Sequence, residues 1–373
     1  MTTSASRNEF PANYSTLSPS PLQLCEPGEL LAAVPALMSF HPRRSVLAVC
    51  LRGQHQSTVG LVMRHDLLLG GPDTVMTGVL NKFAMVAERE GATAIVMVFV
   101  DDRIGEDLSG SGSPGIREEI LSWVLTFDDA LAHRQISLVD VLVTSDIAAG
   151  TQWGSLAPGG QRGFQPDARD SAVTAAHVLS GRTIHRSREE LEHVVAPECE
   201  DVRRQIGTAI DDLRARTEPL SMRDMPGHRV MVENLLAAVK EWESSPTLDV
   251  ERAAQLGFWI SHKPVRDAAL AFPVGALAAP AESLWLQLTR MLPDRERAEA
   301  ATLLGFSAYI RGDGPLAGVA LDVALRCDPT HVLAGLHESA LRHGMRPSTF
   351  SEIADAGFEC GEMIGVELPA RIL

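Results

Sequence analysis

Lysine is nearly missing from this chain: Lys82, Lys240 and Lys263 stand against 30 arginines. Positive charge as a whole is short, with 33 basic against 48 acidic residues and a formal net charge of −15. That balance excludes a general nucleic-acid binder, because phosphate backbones are held by surplus positive charge. It equally excludes attachment to an anionic membrane surface. The one basic stretch, Arg182-Thr183-Ile184-His185-Arg186-Ser187-Arg188, runs directly into Glu189, Glu190 and Glu192, as the solvated start of a helix does. Cysteine is sparse too. Cys25, Cys50, Cys199, Cys327 and Cys360 are dispersed and form no CxxC pair, so the sequence gives no zinc ribbon and no disulfide framework. Reduced thiols in a cytosol fit that usage. Long apolar runs are absent: Leu30–Phe40 and Ala268–Ala281 are interrupted by proline and are too short for a bilayer. The N-terminus is polar, carries Glu9 and lacks the charged-then-apolar order of a secretory signal. The expectation is a cytoplasmic protein. Aromatic residues make up only 5% of the chain, and the dominance of Ala and Leu favours helices.

What is present divides the 373 residues into regions of different pattern. Residues 1–27, rich in Ser, Thr, Asn and Pro, read as a disordered tail. From 28 to 197 the pattern is that of an α/β domain. A short helix over Glu29–Leu37 leads to the Phe40-His41-Pro42 turn. Strands follow over Ser45–Leu51 and Thr58–Arg64, joined through a turn at Gly53–Ser57 that indicates a hairpin. Thr74–Glu90 reads as a helix, Ala94–Val100 as a strand buried on both faces, Ile116–Arg134 as a helix and Val139–Thr144 as another buried strand. This alternation predicts a mixed, mostly parallel sheet with flanking crossover helices. Five glycines and Pro158 between Gly150 and Gly163 mark a loop. Ala168–Leu179 reads as a helix, and Ser187-x-x-Glu190 as the capping box of another.

Beyond Pro197 every segment is helical in pattern, giving an all-α domain over 198–345 and a C-terminal helix and tail over 346–373. Within it Ala301, Leu304, Gly305, Ala308, Ala317, Leu321, Ala324 and Pro329 fall at the spacings of one tetratricopeptide-like hairpin. Shifting by one repeat puts Glu338 and Gln287 where apolar residues are required, so the sequence holds no array. Two helices packed through Ala and Gly explain the same spacings.

Several motifs occur together and in order: LLAAVPALMSFHPRRSVLAV, TVGLVMRHDL, TAIVMVFVDD, VDVLVTS followed by Trp153, SGRTIHRSREELEHVVAP, and YIRGDGPLAGVALDVALRCDP. In this the chain resembles an actinobacterial family known only as domain of unknown function 4192, over roughly residues 27 to 347. The resemblance implies compartment and boundaries but supplies no reaction. Members carry a Cys-rich stretch after the Trp. Here the corresponding loop, Gly154-Ser155-Leu156-Ala157-Pro158-Gly159-Gly160, has no cysteine, so no thiol or metal role carries over.

The hairpin and the crossovers together predict where chemistry gathers. If the first two strands run antiparallel, Arg43 and Arg44 lie at the edge where the later strands end, beside Arg64, His65, Asp66, Asp101, Asp102 and Asp146. Ligands of open α/β sheets bind at such carboxyl ends. The candidate ligand-binding residues are therefore His41, Arg43, Arg44, Arg64, Asp66, Asp101 and Asp102, with Trp153 as a residue able to stack on a ligand. Charges at strand ends also pair with each other, and a structural ion-pair network is the competing explanation. No catalytic residue stands out. Ser45 lacks a nucleophile-elbow context, the histidines at 331, 337 and 343 do not share a helix face, and Gly110–Gly115 has a phosphate loop's composition without its lysine. No cofactor and no metal is expected. Two functions remain: a non-catalytic binding, regulatory or scaffold protein with a protein partner, or an enzyme acting on a small anionic substrate at the strand-end rim. An open pocket lined by Asp66, Asp101 and Arg64 would favour the enzyme, and a filled, ion-paired rim the binder. Oligomeric state is not encoded in these patterns.

Overall fold

Runs of consecutive apolar, often β-branched residues form the centre of a six-stranded sheet among the described residues. The computed structural model describes residues 26–53, 58–104, 114–179, 182–218, 221, 224–345 and 347–372. The strands are β1 (Ser45–Arg52), β2 (Thr58–Asp66), β3 (Ala94–Val100), β4 (Ser137–Thr144), β5 (Gln152–Ser155) and β6 (Arg162–Phe164), in the spatial order β2-β1-β3-β4-β5-β6. The sheet is mixed, but it is not mostly parallel. Only β3 and β4 are parallel neighbours; β1 pairs antiparallel with both β2 and β3, and β4–β5 and β5–β6 are antiparallel. The reason is the path of the chain. After the β1–β2 hairpin, the crossover returns past β1 rather than beside β2, so β1 separates two strands of the same direction. The glycine-containing segment read as loop then folds back twice, making β5 and β6.

Alternation along each strand sorts the core into two faces. Val46, Ala48, Cys50, Ile95, Met97, Phe99, Val141 and Val143 face α2 (Asp73–Arg89) and α3 (Pro114–Ala132), which contribute Met76, Leu80, Phe83, Ile120, Trp123 and Phe127. Leu47, Val49, Val96, Val98, Val100 and Leu142 face the other way, against Leu30, Leu31, Val34 and Met38 of α1 (Pro27–Met38). Every residue of β3 is buried. Each large side chain there contributes about 2 kcal/mol of apolar transfer free energy, which explains why this strand tolerates no polar position. Pro27 sits in the first turn of α1, where its missing N–H costs nothing. The helix thus begins inside the stretch read as tail; residues 1–25 lie outside the described residues. So do residues 54–57 of the expected hairpin turn and 110–113 of the expected glycine-rich loop.

The remaining helices are α4 (Ala172–Leu179), α5 (Arg188–Val194), α6 (Glu200–Arg216), α7 (Met225–Ser244), α8 (Val250–Ile260), α9 (Lys263–Ala269), α10 (Ala278–Met291), α11 (Asp294–Ile310), α12 (Gly314–Cys327), α13 (Val332–Arg342) and α14 (Pro347–Ile364). No strand follows Phe164 among the described residues. Ser187 caps α5 by accepting from Glu190 N–H at 3.2 Å, as the capping box predicts. Ala168–Asp170 forms a separate 3₁₀ turn rather than the start of α4, because Asp167 caps it and Ser171 is extended. Pro72 holds the N-cap position of α2, and Asp73 is its first residue.

α11 and α12 meet where Gly305 lets them cross closely, a Cβ at that position falling 2.8 Å from Leu321 Cγ. Asp313 caps α12 by accepting from Leu316 N–H at 3.1 Å, and it also accepts from the hydroxyl of Ser39 at 3.3 Å. Arg297, buried at the other end of α11, donates to Val195 O at 2.9 Å and to Thr289 O at 2.8 Å. The apolar face of the sheet beneath α1 continues without a break into the side chains of the helical region.

Candidate functional site

The register places the charged candidates at one edge. Ser45 pairs with Asp66 on one side and Val100 on the other, and Val100 pairs with Thr144. Residues that precede β1 therefore stand beside those that end β2, β3 and β4. Both steps of the sequence argument hold: the first two strands are antiparallel, and β3 and β4 are parallel.

At that edge the charges bond to each other. Arg44 Nε and Nη2 donate to both carboxylate oxygens of Asp102, at 2.7 and 2.9 Å. This bond holds the Asp102 carboxyl well below the usual range, at about 2, and raises Arg44 in turn. Asp101 is fully buried and accepts from the backbone N–H, Nε and Nη2 of Arg103, at 2.9, 2.8 and 2.6 Å. Arg64 belongs to β2. Its Nε donates to the Ser45 hydroxyl at 2.9 Å, its Nη2 pairs with Asp66 at 2.5 Å, and its guanidinium lies 5.9 Å from the Phe40 ring centroid. Burial lowers the Arg64 pKa, and Asp66 opposes that shift. Ser45 in turn donates to Arg43 O at 2.6 Å. Arg43 is exposed and its side chain makes no bond or ion pair among the described residues. His65 holds the backbone oxygen of Asp66 through Nδ1 at 2.8 Å. Arg44 adopts a left-handed backbone, φ 42°, a conformation unusual for a residue with a side chain.

His41 and Trp153 stand apart from these pairs, toward the far end of the same edge. His41 Nδ1 is 3.2 Å from Ile147 O, just after β4. Trp153 starts the β5 pairing opposite Thr144 and is buried. It is held by two glycines: a Cβ at Gly163 would come within 2.9 Å of the indole, and one at Gly28 within 3.1 Å of its Nε1. The indole thus plugs the sheet end. Beside it lies a groove of about 660 Å³, walled by Glu26–Glu29 of the α1 start and by Gln161–Pro166 around β6. Gln165 is buried there, donating to Thr144 Oγ1 and Asp146 O, both at 2.8 Å.

The edge thus combines a paired-off set of arginines and carboxylates with an open groove at the β6 end. Among the described residues no group of three His, Cys, Asp or Glu side chains is placed to hold a metal ion. The sequence argument missed Arg103, the true partner of Asp101, although its position two residues on was visible. Gly163 and Arg162 are not found from sequence because the loop expected there forms β6, and Gly28 because it precedes the helix expected from Glu29. Among the described residues no helix is long and apolar enough to cross a membrane.

A family model described as Domain of unknown function (DUF4192) matches residues 27–348. The chain belongs to that family. Neither the curated proteins nor the solved structures yield a match to it.

Proposed function

We propose that this is a non-catalytic binding or regulatory protein of the cytoplasm. In this reading the α/β region, 28–197, carries the recognition surface. The helical region, 198–345, with one tetratricopeptide-like hairpin in α11–α12, acts as scaffold. The observation that carries it is the mutual engagement of Arg44 with Asp102, Arg103 with Asp101 and Arg64 with Asp66. Groups bonded to each other are already neutralised, and a substrate would have to break these pairs, those of Asp101 and Asp102 bidentate, to reach them. A small anionic substrate handled enzymatically at this rim is the second reading. The free Arg43 and the left-handed Arg44 beside it favour that reading, since strained backbones gather at functional sites.

Thermal unfolding in the presence of inorganic phosphate, citrate and a nucleoside triphosphate separates the two. The binding reading expects no saturable rise in Tm with any of them. A saturable rise that disappears in Arg43→Ala, accompanied by turnover of the bound anion, would establish a substrate site and overturn it.

A further inference from the structure

The sheet ends at β6 in an edge that nothing among the described residues pairs with. Two bonds fix the phase of the β5–β6 ladder: Ser155 N–H donates to Gln161 O at 2.9 Å, and Gln165 N–H donates to Thr151 O at 3.0 Å. Alternation in an antiparallel pair then gives the intervening ladder bonds to Gly163, opposite Trp153. The N–H and C=O groups of Arg162 and Phe164 point outward and have no partner among the described residues. Arg162 and Phe164 line the groove whose other wall is the first turn of α1. Gly28 abuts the Phe164 carbonyl, 3.3 Å from where its Cβ would stand. The open part of the edge is therefore the Arg162 N–H and C=O with the Phe164 N–H.

The two faces beside this edge differ in chemistry. Gly28 touches the Trp153 ring, so the face shared by Trp153 and Gly163 is the α1 face, and the side chains of Arg162 and Phe164 lie on the opposite one. On the α1 side stand Glu26 and Glu29, both exposed and neither in an ion pair among the described residues. On the other side the Phe164 ring is 71% exposed, a large apolar surface for a short edge strand. Two free carboxylates disfavour an anion. Unpaired backbone donors and acceptors beside them suit a strand.

We propose, resting on the binding reading above, that this edge takes up an extended peptide segment of a partner protein as a further strand on β6. Its basic side chains meet Glu26 and Glu29, and the alternate apolar side chains lie against Phe164. Charge complementarity selects the partner: the α1 wall of the groove carries Glu26 and Glu29 while Arg162 stands on the opposite face, and the chain as a whole, at −15, is negative.

Residue-resolved amide exchange on the full-length protein tests this, using acetyl-Lys-Val-Lys-Val-Lys-amide as probe and acetyl-Glu-Val-Glu-Val-Glu-amide as its charge-reversed counterpart. The free protein should exchange Arg162 and Phe164 amides freely while Gly163 is protected. The lysine peptide should slow Arg162 and Phe164 by at least about tenfold, and the glutamate peptide should not. Arg162→Pro removes one outward N–H but no ladder bond, and should weaken lysine-peptide binding about tenfold, the worth of one such hydrogen bond. Glu26→Lys combined with Glu29→Lys should transfer the preference to the glutamate peptide, and this readout stands even if the proline variant unfolds. Protection of Arg162 and Phe164 in the free protein would overturn the proposal, because the edge would already be filled from within the chain. No protection by the lysine peptide, or an unchanged preference in the charge-reversed variant, would overturn it equally. Any of these leaves the binding reading standing, whereas anion turnover at the rim removes that reading whatever the peptides do.

Discussion

Arg44 crosses 58 residues of sequence to hold both oxygens of Asp102, at 2.7 and 2.9 Å, from a backbone at φ 42°. The two side chains remain largely exposed, 60% and 63%, so the pair fixes geometry more than it stabilises the fold. Glycine adopts that backbone without steric cost. Arg44→Gly is expected to leave the urea midpoint unchanged or slightly raised. A clearly lower midpoint would show that the pair outweighs the strain.

At the α11–α12 crossing, Gly305 leaves no space for a methyl group, with Leu321 Cγ at 2.8 Å and Ala317 O at 3.3 Å from the Cβ position. The second neighbour is backbone and cannot rotate away. Gly305→Ala should therefore destabilise the protein by about 1–3 kcal/mol, as overpacked sites do, despite alanine's better helix propensity. Equilibrium denaturation measures this, and a stabilised variant would mean the helices cross less closely.

Arg297 joins the end of the α/β region to the helices through Val195 O and Thr289 O. Replacing it with methionine keeps much of the volume but leaves two buried carbonyls without donors. The expected cost is about 3 kcal/mol, read as a shift in denaturant midpoint. A loss under about 1 kcal/mol would mean that water or a neighbour takes over the bonds.

His337 is buried between Phe306 and Phe350, at centroid distances of 5.0 and 5.3 Å, and neither ring nitrogen has a partner among the described residues. Burial pushes its pKa down to about 4, with the charges of Arg266 and His331 adding to the shift. The neutral ring is thus the folded form. Its contribution is fully present above the unfolded value near 6.5 and is lost as pH falls from there toward 4, at most about 3 kcal/mol over that window. His337→Leu should flatten the stability profile between pH 6.5 and 4 relative to the parent protein. Parallel profiles would contradict the assignment.

The central strands and the helical region were legible because their signals are local. Ala94–Val100 is seven apolar residues, and Ser187 and Asp313 cap the helices they precede. The rim was legible for a different reason: a hairpin followed by a crossover fixes strand direction, and direction alone aligns Arg44 with Asp102. Sheet order was not, because nothing local says that the chain passes β1 before laying down β3. β5 and β6 were hidden by their own composition. Gly163 is there to admit the Trp153 ring, a tertiary requirement that reads as loop chemistry in the sequence. Pairing within the rim was also beyond reach, since Asp101 chooses Arg103 over the arginines before β1 by side-chain geometry.

The rim carboxylates are engaged by arginines rather than free for a substrate. Asp102 is the most direct witness. Titrating its carboxyl carbon by NMR in protein carrying labelled aspartate should give a midpoint near 2, moving up toward the ordinary value of about 3.9 in Arg44→Ala. A midpoint at or above the ordinary value in the parent protein would contradict the account, because it would mean the carboxylate is unpaired and open to a ligand.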